Sequence, residues 1–209
     1  MPSSPITPDA DEPARPYHHG DLRRVLLQTA IEAIQESGPA TVSLRDLARR
    51  AGVSHAAPAY HFGDKAGLLT AIAADGFRLL AATLRQAYEA SGGSFLEVGV
   101  AYVRFATSHR AHFEVMFRPE LYHPDDPQLI RARQSSRALL YGPLSGGRAD
   151  PDPEQLRAGV AAWSLVHGLA TLWLDHNLPA ELGDDPEQVA RQVARFLFQP
   201  REPAPPAVR

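Results

Sequence analysis

Residues 51–62 read AGVSHAAPAYHF, an odd set of choices for a segment flanked by helical patterns. Gly52 offers the positive φ that a tight turn between two helices needs, and Val53 is the apolar plug beneath it. A helix is expected to begin near Ser54. Pro58 then falls near the end of its first turn, where few amides have partners to lose. Ala56 and Ala57 keep that end slim, so that backbone can approach another surface closely and methyl groups can meet thymine. His55, Tyr60 and His61 are left as the side chains able to reach bases or phosphates. Such a pair of short helices is a helix-turn-helix, whose second helix enters the major groove in DNA-binding proteins. A plain helical hairpin in a core has the same spacing.

Working outward, helical periodicity dominates and strand signals are scarce. A first helix is expected over 21–37, with Leu22, Leu26, Ala30 (or Leu27) and Ile34 on one face and a stop at Gly38-Pro39. Ser43-Leu44-Arg45-Asp46 reads as a capping box opening a second helix with Leu44, Leu47 and Ala48 inward. A fourth helix is expected over 65–90, a rod of roughly 40 Å. Others are expected over 95–109, 111–117, 127–141, 154–177 and 186–198, joined by connectors at 145–153 and 179–186. The fold class is therefore all-α: a three-helix unit over 17–64, which carries the helix-turn-helix, then a longer helical unit over 65–199. Residues 1–16 and 200–209, the latter with four prolines in ten residues, are expected to be disordered tails.

Composition narrows the function. The 209 residues include no cysteine, which excludes disulfides and thiolate metal sites. The first sixteen residues lack the pattern of a signal peptide, and the most apolar stretch, WSLVHGLATLWL at 163–174, is too short to span a bilayer. A cytoplasmic protein with no membrane partner is expected. Net charge is −3, yet residues 15–65 hold seven basic side chains against five acids. That local excess suits a nucleic-acid face. No glycine-rich phosphate loop, nucleophile elbow or paired-carboxylate setting is present, so no enzyme activity and no cofactor are expected. His109 and His112 lie three apart but have no third ligand in sight, so no metal is expected.

The stretch Tyr17–Phe77 resembles the DNA-binding domain of the TetR family of bacterial transcriptional regulators. The matching residues are Ser43-Leu44-Arg45-Asp46-Leu47-Ala48, Ala51-Gly52-Val53-Ser54, His61-Phe62, and Lys65 ahead of Leu68-Leu69. One departure stands out: the family usually has a tyrosine at the position of Ala59, where it commonly touches a phosphate, and here Tyr60 is the neighbour. Trp163-Ser164-Leu165-Val166-His167-Gly168 resembles the Trp-His-Gly signature of one ligand-sensing subtype. The resemblance implies a repressor released from a palindromic double-stranded operator by a small-molecule effector, and a homodimer through a four-helix bundle of the last two helices. The expected DNA contacts are Ser43, Arg45, Ser54, His55, Ala56, Ala57, Tyr60, His61 and Lys65.

For the second unit, Trp163, His167, Ala170 and Leu174 share one helical face, and Leu165, Leu169, Leu172 and His176 lie on the opposite one. The second face, with Val189, Val193 and Phe196, is the expected dimer interface. In 95–109, Leu96, Val100, Val103 and Thr107 form one stripe and Val98, Tyr102, Phe105 and His109 another. An effector pocket is expected against Tyr102, Phe105, His109, Phe113, Met116, Trp163 and His167, aromatic walls with polar tips. Arg104, Arg131, Arg133 and Arg137 are expected on a solvated face. Two other readings stay open at this point: a helical small-molecule or metal-assisted enzyme using His109 and His112, and an effector-independent DNA-binding protein.

Overall fold

The computed structural model describes residues 19–141 and 152–198, and every regular element among them is helical. The expected tails and most of the 145–153 connector lie outside the described residues. In chain order the α-helices are α1 (His19–Ser37), α2 (Leu44–Ala51), α3 (Ala56–Phe62), α4 (Lys65–Ala90), α5 (Phe95–Ser108), α6 (Arg110–Met116), α7 (Pro127–Tyr141), α8 (Pro153–Leu174) and α9 (Pro186–Phe198).

α2 opens at Ser43, whose hydroxyl accepts the Asp46 amide at 3.1 Å. The reciprocal half of the expected capping box is missing: the Asp46 carboxylate turns to Arg49 and Arg50 instead. Two guanidinium groups outcompete one neutral amide for a carboxylate. Arg50 also reaches Glu36 of α1 at 2.6 Å, pinning α2 to its predecessor. α2 ends at Gly52 in the left-handed region (φ 67°), and the Val53 amide returns to Ala48 O at 3.0 Å. That is the Schellman arrangement which glycine makes available at no steric cost. α3 begins at Ala56, two residues later than expected, so Pro58 occupies its third position and is buried with Phe62. Seven residues are too few to be helical alone. Burial of Pro58 and Phe62, and the Gly63 amide donating to Ala59 O at 2.8 Å, hold it in place.

α4 is the spine. Leu68, Leu69, Ile72, Ala73, Phe77, Leu80 and Leu84 are all nearly inaccessible. The helix is long and apolar enough to cross a membrane by composition, but most of its most apolar window is buried within the fold. It packs against α1, α3, α5, α6 and α7, and one apolar core runs from Leu26 of α1 to Ala190 of α9 without a break. α5 is buried on both of its expected stripes, Val98, Tyr102 and Phe105 on one and Val100 and Val103 on the other.

The fold places the residues of the expected dimer stripe on α8 and α9 in differing surroundings. α8 stops at Leu174, so His176 lies beyond it in a left-handed turn (φ 55°). Leu169 is buried within the protomer, as is Val189 of α9, which packs on α5. The outward surface of α8 is rotated from the expectation and carries Val160, Ala161, Ser164, Thr171 and Leu172, with Leu165 half-buried at its edge. A helix with small residues on one side tolerates several rotations by periodicity alone, and inward packing of Trp163, Val166 and Ala170 decides between them. Val193 is half-buried, and the Phe196 side chain lies outside the described residues.

At the α3–α4 corner a methyl group on Gly67 would sit 2.0 Å from the Phe62 carbonyl oxygen. Gly67→Ala is therefore expected to lower stability by about 1–3 kcal/mol, the cost of forcing an overpacked contact. Urea unfolding of the two proteins measures it, and an unchanged midpoint would show that the corner relaxes freely.

Candidate nucleic-acid interface and ligand cavity

α3 presents Ala56, Ala59 and Tyr60 outward, with Ser54 and His55 exposed just ahead of it. Tyr60 is 80% exposed, the barest large hydrophobic side chain among the described residues, and its ring stands edge-on to that of His61. Ala57 and His61 are half-buried at the sides. Below, Phe62 is capped by the Arg23 guanidinium of α1 at 5.2 Å from the ring centroid. On α2, Ser43 and Arg45 face solvent; Arg49 and Arg50 are engaged by Asp46, whereas Arg45 has no carboxylate partner among the described residues. Lys65 donates to the Ala40 carbonyl at 2.6 Å, closing the turn after α1. Two of its three donors remain for a phosphate.

All nine expected DNA residues thus lie on or beside the α2–α3 pair. Asp64, which caps α4 through the Gly67 amide at 2.7 Å, has its carboxyl held below the usual range chiefly by that amide.

In the second unit the aromatic residues converge, though not as a simple pocket lining. The Trp163 indole donates to the Tyr102 hydroxyl at 3.2 Å, and that hydroxyl lies 2.8 Å from His167 Nδ1. An indole N–H only donates, so Tyr102 accepts from it and keeps its own proton free to meet His167 Nδ1. A neutral imidazole with Nδ1 as acceptor completes that chain. Burial lowers its pKa in the same sense, and burial raises that of Tyr102. Phe113 and Phe117 pack on His167 at 5.3 and 4.6 Å between centroids. Phe105 stacks on His109, whose pKa burial also lowers. Nearby, His112 Nε2 faces Asp75 Oδ2 at 3.5 Å, and that carboxyl is held low chiefly by this histidine. The described residues contain no group of three or more metal-ligating side chains.

Two cavities adjoin this cluster. One, of about 350 Å³, lies among α5, α8 and α9, lined by Phe95, Leu96, Val98, Ala162, Val166 and their neighbours, with Arg195 at the margin. The other, of about 400 Å³, lies among α4, α6, α7 and α8 and is lined by Phe77, Met116, Phe117, Tyr122, Arg133 and Arg137 among others. Of the seven residues expected to hold an effector, Met116 and Trp163 line a cavity. Tyr102, Phe105, His109, Phe113 and His167 line neither, forming a packed layer behind that wall. Sequence reasoning missed the contribution of α7. Arg133, expected on a solvated face, is half-buried over the Phe77 ring and donates to Tyr122 at 3.0 Å. The signal was present, since 133, 136, 137, 140 and 141 follow i, i+3, i+4, i+7, i+8; polar residues at three of the five hid it.

With this geometry in hand, comparison with known proteins is decisive. Residues 26–72 match the family described as "Bacterial regulatory proteins, tetR family", and 95–197 match "Tetracyclin repressor-like, C-terminal domain". The HTH-type transcriptional regulator BetI of Escherichia coli (strain SE11) is 32% identical over 185 residues, covering 84% of this chain and 91% of BetI. The chain belongs to the TetR family. It is a DNA-binding transcriptional regulator, and α2–α3 is its helix-turn-helix. A solved Rhodococcus sp. RHA1 protein of unknown function is 34% identical, with a TM-score of 0.72 over 88% of this chain and 96% of that one. The TetR-like regulator LfrR of Mycobacterium smegmatis, solved with proflavine, shares the fold at 19% identity, with a TM-score of 0.58 over 85% and 94% of the two chains.

The buried histidines give this TetR regulator a pH dependence of definite sign. An unfolded histidine titrates near 6.5, and burial sets the folded values of His167 and His109 lower. Between those values the unfolded chain binds more protons, so this contribution to stability is full above about 6.5 and is lost as pH falls through the window. Urea midpoints should therefore drop from neutral to mildly acidic pH, and His167→Asn, which keeps an acceptor near the Nδ1 position, should shrink the drop. An identical pH profile in the variant would assign the effect elsewhere.

Proposed function

We propose that this TetR regulator is a homodimeric, cytoplasmic repressor that leaves a palindromic operator when a small, partly apolar effector binds, and that it catalyses no reaction. The observation carrying the DNA half is the outward surface of α3: Tyr60, Ala59, Ala56 and His55 make no core and are held rigidly by what lies beneath them. α3 enters the major groove with its N-terminal residues at base edges, and Tyr60 takes the phosphate contact that the family usually assigns to the position of Ala59. Arg45 and the spare donors of Lys65 add phosphate contacts. Residues 17–64 form the DNA-binding unit and 65–199 the sensing and dimerisation unit, with α4 belonging to both in packing.

The dimer is proposed to form across the outward side of α8, with α9 beside it. Val160, Ala161, Ser164 and Leu172 are exposed there, and at Gly168 a methyl group would meet nothing within 4 Å. Nothing inside the protomer requires glycine at this helical position, where it costs about 1 kcal/mol relative to alanine. Close approach of a second helix supplies a reason. The effector acts by population shift, favouring a conformer whose two α3 helices no longer match successive major grooves.

Footprinting on the DNA upstream of the regulator's own gene is expected to reveal two half-sites about 34–36 Å apart or a multiple of that. A single asymmetric half-site would count against the dimeric reading. Arg45→Ala should weaken operator and random DNA alike and reduce the salt slope by about 1, whereas His55→Ala should cost about 1–3 kcal/mol on operator alone. Equal losses on both DNAs for both variants would undo that division. Gly168→Trp should give a folded monomer by sedimentation, with operator affinity lost; a dimer that persists would move the interface off α8.

A further inference from the structure

The two cavities share a wall. Leu140 of α7 and Trp163 of α8 line both. On either side of that wall the linings differ in kind. The α5/α8/α9 cavity is aliphatic and aromatic apart from Arg195, and its small residues Gly99, Ala158, Ala162 and Ala194 leave a slot between the larger side chains. The α4/α6/α7/α8 cavity is aromatic, with Tyr122, Ser136 and Tyr141 supplying hydroxyls and Arg133 and Arg137 supplying charge.

Charge decides what these spaces take. Neither lining contains an aspartate or glutamate. Arg133 spends one donor on the Tyr122 hydroxyl and lies over Phe77, and Arg137 lies over Tyr141 at 5.8 Å. No carboxylate reaches ion-pair distance of either guanidinium among the described residues. Glu120 bears on the Tyr122 hydroxyl without pairing with them. Arg195, across the wall, is by contrast already close enough to Glu97 to help hold that carboxyl low. Guanidinium groups beside aromatic walls, uncompensated by acids, favour a planar anion that can accept two parallel hydrogen bonds.

We propose that the effector is an amphiphilic carboxylate: its head is held by Arg133 and Arg137, and its alkyl chain runs past Leu140 and Trp163 into the alanine-lined cavity. This rests on the reading of the protein as an effector-controlled regulator, and it names the ligand class of that site. Each cavity alone is near the lower limit of small-molecule sites, about 300 Å³, and a ligand spanning both uses a volume in the middle of the usual range. Trp163 ties the ligand to the rest of the fold. Its indole N–H is committed to Tyr102 and through it to His167, so a chain that displaces the ring disturbs hydrogen bonds reaching α5.

The test is calorimetric titration of the full chain with butyrate, octanoate, decanoate and decanol. In the wild type, binding is expected to tighten up to about fourfold per added methylene between octanoate and decanoate, the worth of a buried CH₂. Decanol is expected to bind at least about tenfold more weakly than decanoate, a difference of about 1.4 kcal/mol. Arg137→Gln, and Arg133→Gln as the companion variant, should bring decanoate to the level of decanol. Ala162→Phe should flatten the chain-length slope, and Ala162→Leu should flatten it partly if the larger ring prevents folding by circular dichroism. A flat slope in the wild type, equal binding of acid and alcohol, or no binding of decanoate would overturn the proposal. Gel shifts of the upstream DNA in the same preparations separate the two readings. An operator complex indifferent to decanoate removes the ligand class alone. Decanoate binding with the expected slope but no operator complex removes the regulator reading alone.

Discussion

Burial of α4 is the constraint on which the remaining helices depend. A 26-residue helix with apolar side chains around most of its circumference has no soluble existence unless other helices cover it. α1 and α3 cover its beginning, and α5, α6 and α7 cover the rest. Two glycines fix how close the cover can come. Gly67 admits the Phe62 carbonyl at the start of the helix, and Gly76 admits Met116 and His112 of α6 near its middle. The DNA-reading end and the cavities are thus two ends of a single packing problem.

That arrangement gives the proposed effector a packed route to α3. α6 touches both α1 and α4, placing a helix from outside the helix-turn-helix directly against the helices that carry it. At that junction Asp75 of α4 feels His112 of α6, Arg78 of its own helix and Arg23 of α1. Farther along, the backbone amide of His123 donates to Thr70 at 3.0 Å, and its imidazole lies 3.4 Å from Asp64, the cap of α4. Packed side chains have discrete arrangements and not a continuum, so a displaced α6 or α7 has defined alternatives at α1 and at the α3–α4 corner.

Much of this was legible in the residues. The boundaries of α4, α7 and α9 follow from periodicity and from the proline and glycine signals around them, and the α2–α3 turn follows from Gly52. Local signals failed where partners distant in sequence decide. Asp46 is the exception, since the two arginines that draw it away from a capping box lie only three and four residues on. The rotation of α8 depends on which neighbours receive Trp163 and Val166, and the sequence of a helix does not contain its neighbours. The aromatic cluster was found because its members share helical faces. Its role as a layer behind a wall was not, because Tyr102, Trp163 and His167 satisfy one another's hydrogen bonds across 61 and 65 residues. Arg133 was misplaced for the same reason. An arginine beside a phenylalanine 56 residues away looks no different from one in solvent.

α3 has a consequence for the history of such proteins. It is too short to fold by its own propensity and is shaped by Pro58 and Phe62 beneath it, while Ala56, Ala59 and Tyr60 contribute little to the core. Folding and the proposed recognition are therefore written in different residues of the same seven. Substitutions on the outward side can accumulate at little thermodynamic cost, so a duplicated gene is able to drift toward a new operator before any compensating change in the scaffold is needed. The inward side has no such freedom. One short helix thus separates what selection can vary from what it must keep.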